Sequence, residues 1–589
     1  MIIFALASFV LVGFVALSID TGFLMAERRQ VQSAADSAAL AAAISMQDGK
    51  SSIQIQAAAV EYATSNAGVS ASDVVVQHPP TSGPYAGDNK YIQVTVNKKV
   101  QKFFLGAVYN GNWAVSASAI AGLEPEGFDA ALLALNSNSG GIETSGYTNI
   151  RVIGGSAVSN YNIKTSGDTT INADEYVVAN DGFSTSGSTK LTGGKGVKPN
   201  GAEVPDPLID KISPPTLPNL PGNSIPTASP PAVGACAQYN SWGNPTYTIN
   251  PARYTSGGSG CVNPNGVPAG QTMTLKSGQW RFQNGAGISS NGNMAGKVYL
   301  EGGTFNFEGN GGIFTGGTTN NFEIGYGSYS FTGGARIDFS GQSPNNIIRG
   351  GNYYFTGGGG ISAGGYNQVT IGPGTYIFNG GPGFVMSGNS TLNFLAGDYT
   401  FFFANGADFS FAGSSVITAN PNAYVRAYFL GDNNNWSDLD RNGWSNMELP
   451  SGEYYFKRGR FMNSGSSMIV GKSVFLYFEQ GSYLEASGSA SFGFTAPTTK
   501  IYPGYYPGVF MYSNHANNAT FKWAGNTASA SVGTIYLPSS PVHTSGNSSG
   551  VAFRGQFIAD RFYTSGNTTI TVEFVEYVKT QIPKIYLVN

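Results

Sequence analysis

The stretch GDNNNWSDLDRNGWSNMELP, residues 431–450, holds the residue types best spaced for chemistry. Asp438, Asp440 and Asn442 alternate ahead of Gly443 and Trp444, which is the spacing of the first half of an EF-hand-like calcium loop. In such a loop the carboxylates and the amide converge on the ion, glycine makes the turn, and the backbone carbonyl of the next residue, here Trp444, serves as a further ligand. The twelfth position is Leu449 rather than Glu, and Glu448 stands one residue early. Two readings are open: a calcium site at Asp438, Asp440, Asn442 and Trp444, or an ordinary Asn/Asp turn inside an insertion.

The other reactive side chains are sparse. Cys236 and Cys261 are the only cysteines, they lie 25 residues apart, and His78, His515 and His543 are scattered. That pattern does not make a zinc site. It predicts a Cys236–Cys261 disulfide closing one surface loop, and with it an oxidising compartment. Charged residues make up only 11 % of the chain and the formal net charge is −3. Without a basic run, nucleic acid is not an expected partner. Glycine is abundant at 81 residues, but so are Phe at 37 and Tyr at 32. Disordered chains are poor in aromatics, so this composition predicts a packed structure.

The elements that must carry these residues are repeats. Gly-x-aromatic-x-Phe occurs at 278–282, 303–307, 327–331, 351–355, 374–378 and 397–401. Its central aromatics, Trp280, Phe305, Tyr329, Tyr353, Tyr376 and Tyr399, fall at spacings of 25, 24, 24, 23 and 23. GEYYF and GSYLE continue the series after an insertion near 420–450. A second unit, Ser-Gly-x-Ser/Thr, recurs from TSGDTTI (165–171) to TSGNTTI (564–570), with Thr144, Thr165 and Thr185 spaced 21 and 20 apart. Short alternating strands and Gly/Asn turns at this period predict a right-handed parallel β-helix, a solenoid in which glycines turn the corners and aromatics stack from rung to rung. At roughly 4.8 Å per rung, about 17 to 20 rungs make a rod on the order of 80–95 Å long. Ten prolines between Pro199 and Pro231 make that segment extended, and it is expected along the side of the rod.

Such a solenoid does not by itself argue catalysis. Asp338, Asp398 and Asp408 fall in different repeats, and Arg554, Asp560 and Arg561 read as a surface salt-bridge face. No clustered acids and base emerge, so no enzyme is expected. Trp436, Trp444 and the YPGYYPG loop (502–508) offer rings on which glycans could stack, or subunits could meet.

The chain opens with nineteen uncharged residues before Asp20, enough to span a bilayer core as a helix. An Ala-rich continuation without proline predicts one helix ending near Gly49. Arg28 and Arg29 come after the apolar run. By the positive-inside rule they would place the rest of the chain in the cytoplasm, against the cysteine pair; an exported body is the expectation. The stretch VGFVALSIDTGFLMAERRQVQSAADSAALAAA resembles the N-terminal segment of TadE/TadG-like pilus-assembly proteins, at Asp20, Arg28, Gln32, Ala34, Ala35, Asp36, Ala38, Ala39 and Leu40. The likeness extends to about residue 122, through a second helix (53–68), strands at DVVVQH and YIQVTVNKKV, a helix at QKFFLGAVYN and a strand at NWAVSASAIAG. It departs at Ala5, where typical type IV pilins carry Glu, and no D-x-S-x-S pattern of a von Willebrand A domain is present. Asp20, Arg28, Arg29 and Asp36 are the assembly or anchor residues that the resemblance implies. The segments around 371–401 and 533–570 also resemble the β-helical C-terminal regions of some of these proteins.

The expected organisation is mainly β: a long helix at 1–49 (apolar over 1–19), a small α+β domain at 50–122, first β-helix rungs at 123–197, a Pro-rich segment and disulfide loop at 198–262, and the β-helix body at 263–589. The expected function is a non-enzymatic surface protein of bacteria, a structural component or subunit of a Tad-like pilus or extracellular filament. Its partners would be copies of itself or other pilus components, and the membrane through the N-terminal helix. The alternatives are a membrane-anchored adhesin or pilus-assembly factor that binds surface glycans and, behind it, a polysaccharide lyase. No cofactor beyond the candidate calcium is expected.

Overall fold

The computed structural model describes residues 2–47, 50–104, 106, 111–230, 233–234, 236–238, 246–255, 260–290, 292, 294–317, 321–525, 528–547 and 549–588. Two compact units result, one of residues 1–128 with 581–589, the other of residues 129–580.

In the first unit, α1 (Ile2–Gln47) is one continuous helix and α2 (Ser52–Ala67) begins at a capping box in which Ser51 and Gln54 bond reciprocally. Gly68, in the left-handed conformation, ends α2. The alanines of α1 from Ala34 to Ala43 pack against Ala59, Ala63 and Ala67 of α2 and against Val94, Val96 and Ala119 of the sheet. Small side chains permit this close approach. The sheet is an antiparallel meander of Val74–Gln77, Tyr91–Lys99 and Ala114–Gly127. A fourth strand, Gln581–Val588, pairs antiparallel with Ala114–Gly127 and covers what would otherwise be an open edge. The expectation that the β-helix body runs to 589 is corrected here, because the last strand belongs to the α+β unit. Of the helix expected at QKFFLGAVYN, residues 105 and 107–110 lie outside the described residues, and 101–104 are not helical.

The second unit is a parallel β-solenoid of about 17 turns. Each coil pairs in parallel with the next, as Gly327–Phe331 pairs with Gly351–Phe355 and that strand with Gly374–Phe378. Inside, Phe282, Phe307, Phe331, Phe355, Phe378, Phe403, Phe429, Phe456 and Phe478 form one column, with centroids 4.6–5.1 Å apart. Trp280, Phe305, Tyr329, Tyr353 and Tyr376 form a second. Tyr399 does not continue it: the strand Gly397–Ala404 is shifted so that Phe401 faces Tyr376, at 5.1 Å. Tyr399 keeps instead the hydroxyl bond of its counterparts, donating to Leu395 O four residues back as Tyr329 does to Gly325 O and Tyr376 to Gly372 O.

One corner is turned by glycine on successive coils from Gly317 through Gly341, Gly365, Gly388 and onward to Gly566, then Gly146, Gly167 and Gly187. Gly365 shows why: its φ is +73°, and a Cβ there would stand 2.4 Å from Gly341 O. The Ser/Thr two residues after the glycine closes the turn, as Thr568 Oγ1 does on Ser565 O at 2.8 Å and Ser415 Oγ on Ala412 O at 2.8 Å.

The jump from Gly566 to Gly146 reveals the topology. Residues 130–199 come first in the chain, yet they stack beyond the last coil: Leu132 pairs with Phe557, and Phe562 with Ile142. The stack ends with Gly196–Pro199 on Tyr176–Ala179. The chain must then return to the opposite end, where Tyr254 pairs with Phe282. The Pro-rich segment makes this journey along the outside. Asp206 accepts from Tyr536 Oη at 2.7 Å, Ser213 N donates to Gly504 O at 2.9 Å, Asn223 bonds Ser330 Oγ at 2.9 Å, and Ser229 N reaches Gln279 at 2.9 Å. Between these, Leu220 and Ile225 cover Tyr354, Ile377 and Phe402. About 30 extended residues at about 3.1 Å each reach about 90 Å, enough for 16 steps of about 4.8 Å, or about 77 Å. The Cys236–Cys261 disulfide, Cα–Cα 4.5 Å, fastens the strap where it joins the coils.

Candidate functional site

The features that point outward from the first unit lie on α1. Ile2, Ile3, Phe4, Phe9, Leu11 and Phe14 are all more than three-fifths exposed, whereas from Val31 onward the helix buries its alanines. Within the described residues α1 is the one helix long and apolar enough to cross a membrane. Asp20 stands at the junction and is buried. Its carboxylate accepts the backbone N–H of Phe103 at 3.1 Å and of Phe104 at 3.0 Å. Two such bonds satisfy a charge that would be costly at an apolar boundary. Phe103 stacks edge-on against Phe23 at 5.0 Å, and Phe104 borders a cleft of about 210 Å³ lined by Leu11, Val15 and Ile19. Phe103 and Phe104 escape the sequence reading, which assigned them to a helix; the signal was the QKFF pairing of a base with two rings.

Arg28 and Arg29 are exposed on α1. Asp36 is half-buried and accepts from Gln32 Nε2 at 2.8 Å, one turn earlier. Glu27 pairs with Lys98 at 2.6 Å, and Gln30 Nε2 donates to Asn66 O. Glu27, Gln30, Gln32 and Asp36 thus bond to neighbours within the unit, and the alanines of the motif pack there as well.

The candidate calcium residues do not form a loop. Leu439–Gly443 is a strand stacked between Asp408–Gly413 and Arg460–Gly465. Extended backbone spreads Asp440 and Asn442 along the coil surface, and Trp444 is exposed beyond them. Asp438 is buried and grips Arg460, with Nη2 at 2.6 Å and the Arg460 N–H at 2.8 Å. The Asn/Asp turn sits earlier, where Asp432 Oδ1 accepts the N–H groups of Asn434 and Asn435, both at 2.7 Å. Next to the strand, burial pushes the Asp408 carboxyl up to about 7, against the opposing Asp438 N–H bond and with Asp438 and Asp440 adding repulsion. Burial likewise raises Asp440.

Among the proposed sugar-stacking rings, Tyr505 is buried on Phe475, and its hydroxyl donates at 2.7 Å to the carbonyl of Val509, the first residue of the strand that follows the loop. Trp436 lies under Arg460 and against Tyr483.

Residues 1–47 match the family of putative Flp pilus-assembly TadE/G-like proteins. The match coincides with α1. No curated protein and no solved structure matches the chain.

Proposed function

We propose that this chain is a structural, non-enzymatic component of a Tad-type pilus system, held at the bacterial surface by the first half of α1 with its solenoid on the exported side. The observation that carries this is the division of α1. The Ala-rich half is spent on packing inside its own unit, while the apolar half is left exposed, with the Asp20 charge satisfied at the boundary by backbone N–H groups. An exposed apolar helix of this length needs lipid or the helices of other pilus components around it. The disulfide suits an exported body.

The test is made in the native host. Alkaline carbonate extraction is expected to leave the chain with membranes or with sheared pili, and alkylation trapping in intact cells to find Cys236 and Cys261 oxidised. Release into the soluble fraction by carbonate, or free thiols in cells, overturns the reading. Recovery in sheared filaments assigns a subunit; recovery only in membranes assigns an anchored component.

A further inference from the structure

Where the last coils meet the residues that come first in the chain, the outer face of the solenoid holds an open groove of about 540 Å³. Parallel pairing places His543, Tyr563, Glu143 and Lys164 in one outward file, each a rung from the next. Ser565 and Ser145 line the neighbouring glycine corner. Neither half of the solenoid makes this groove alone; the file exists because Phe562–Thr564 stacks on Ile142–Thr144.

Elsewhere on the outer face several charges of adjacent coils neutralise one another, as in Arg460–Asp438, Lys522–Glu485, Arg426–Glu453 and Lys297–Glu323. Among the described residues Glu143 and Lys164 take part in no ion pair, although they stand on adjacent rungs. A carboxylate, an ammonium, an imidazole and several hydroxyls therefore converge on one open space. Tyr563 is held in place: its hydroxyl accepts from Arg561 Nη1 at 3.3 Å, and Arg561 is anchored by Asp560 at 2.6 Å. His543 Nε2 approaches Ser565 Oγ at 3.4 Å.

Opposite charges on adjacent rungs leave no net field to select an anion or a cation. Abundant donors and acceptors beside one half-exposed ring suit a ligand that is rich in hydroxyls and carries an apolar C–H face. A groove running along the file suits a chain rather than a single small molecule. We infer that this groove binds an uncharged saccharide chain, lying along the file from His543 to Lys164. Tyr563 stacks on a sugar face, while Glu143 accepts and Lys164 donates hydrogen bonds to its hydroxyl or acetamido groups.

The test uses the full-length protein in detergent, titrated calorimetrically with cellohexaose and chitohexaose as uncharged probes and with oligogalacturonate as the anionic one. Saturable binding of at least one uncharged probe is expected. Glu143→Gln should weaken it about tenfold, the loss of roughly one charged hydrogen bond. Ser145→Arg, at an exposed position of the groove wall, should abolish it while the melting temperature stays unchanged. The inference is overturned if neither uncharged probe binds, if Ser145→Arg binds as the parent does, or if oligogalacturonate binds more tightly than both. These results do not depend on where the protein resides in the cell, so they stand or fall separately from the pilus assignment.

Discussion

The coils at 278–478 and those at 130–199 are built from different materials on one plan. The first set stacks aromatic rings in two inward columns and repeats every 22–27 residues along the strands that carry the rings. After a first coil of 25–26 residues the second repeats every 20–21, and it fills its interior with Leu132, Ile150, Ala157, Ile171 and Val177. The face that carries the rings is six residues long at Gly374–Asn379 but only four at Ser156–Ser159. A shorter face encloses a narrower interior, and branched or small side chains fill it where a ring would not fit. Buried threonines complete the contrast, with Thr144 Oγ1 donating to Thr169 Oγ1 at 3.2 Å. What both sets share is the glycine corner. The corner therefore defines the coil, and the rings are one way of filling it.

That claim fails if the corners are not equivalent. At Gly365 and at Gly167 a Cβ would stand 2.4 Å and 2.7 Å from a backbone oxygen, and both residues have positive φ. Gly365→Val and Gly167→Val are each expected to destabilise by about 4 kcal/mol or more, read as a comparable loss of denaturation midpoint. A tolerated valine at either site would break the shared plan. Core truncations should instead separate the two sets. Phe355→Ala, between Phe331 and Phe378, is expected to cost about 3–5 kcal/mol. Val177→Ala removes only two methyl groups and should cost about 1–2 kcal/mol. Equal losses would mean that the rings do not carry the wider coils.

The smallest effect sharpens the wide set alone. Asp408, pushed up to about 7, keeps its proton in the folded state between about pH 4 and 7, where the unfolded chain has lost it. The folded state then binds more protons than the unfolded one, so stability falls as pH rises through that window. Asp408→Asn retains an acceptor for the Asp438 N–H. It is expected to raise Tm by about 1–3 °C at pH 8 and to leave it unchanged at pH 4, by scanning calorimetry. An equal rise at both pH values would remove the carboxyl as the cause.

Legibility followed locality. Tyr353 and Phe355 were readable as rung residues because each repeat brings its neighbour into register at a fixed spacing, and the stacks confirm both partners. Tyr399 misled because its motif is intact while the strand shifts by two residues, and the shift reflects pairing with Ala423–Leu430 rather than any local signal. The Asp438–Asn442 spacing misled for a related reason: alternate acids mark a strand face as well as a loop, and Arg460, a coil away, decides what Asp438 does. For α1 both halves were legible as one helix, apolar first and Ala-rich after, but not that the alanines would pack on α2 and the sheet of the same chain.

The amino-acid order by itself determined the parallel coil, the glycine corners, the extended strap, the disulfide and the apolar helix. Each depends on residue type and short-range spacing: φ at glycine, the missing N–H of proline, the apolar run. Only the tertiary structure decided the order of the coils in space. Which free edge the coils at 130–199 cap is settled by backbone pairing between Phe562–Thr564 and Ile142–Thr144, and hydrogen bonds between strands carry no record of chain distance. The strap, the C-terminal strand on the α+β sheet and the groove at Tyr563 and Glu143 all depend on such long-range choices.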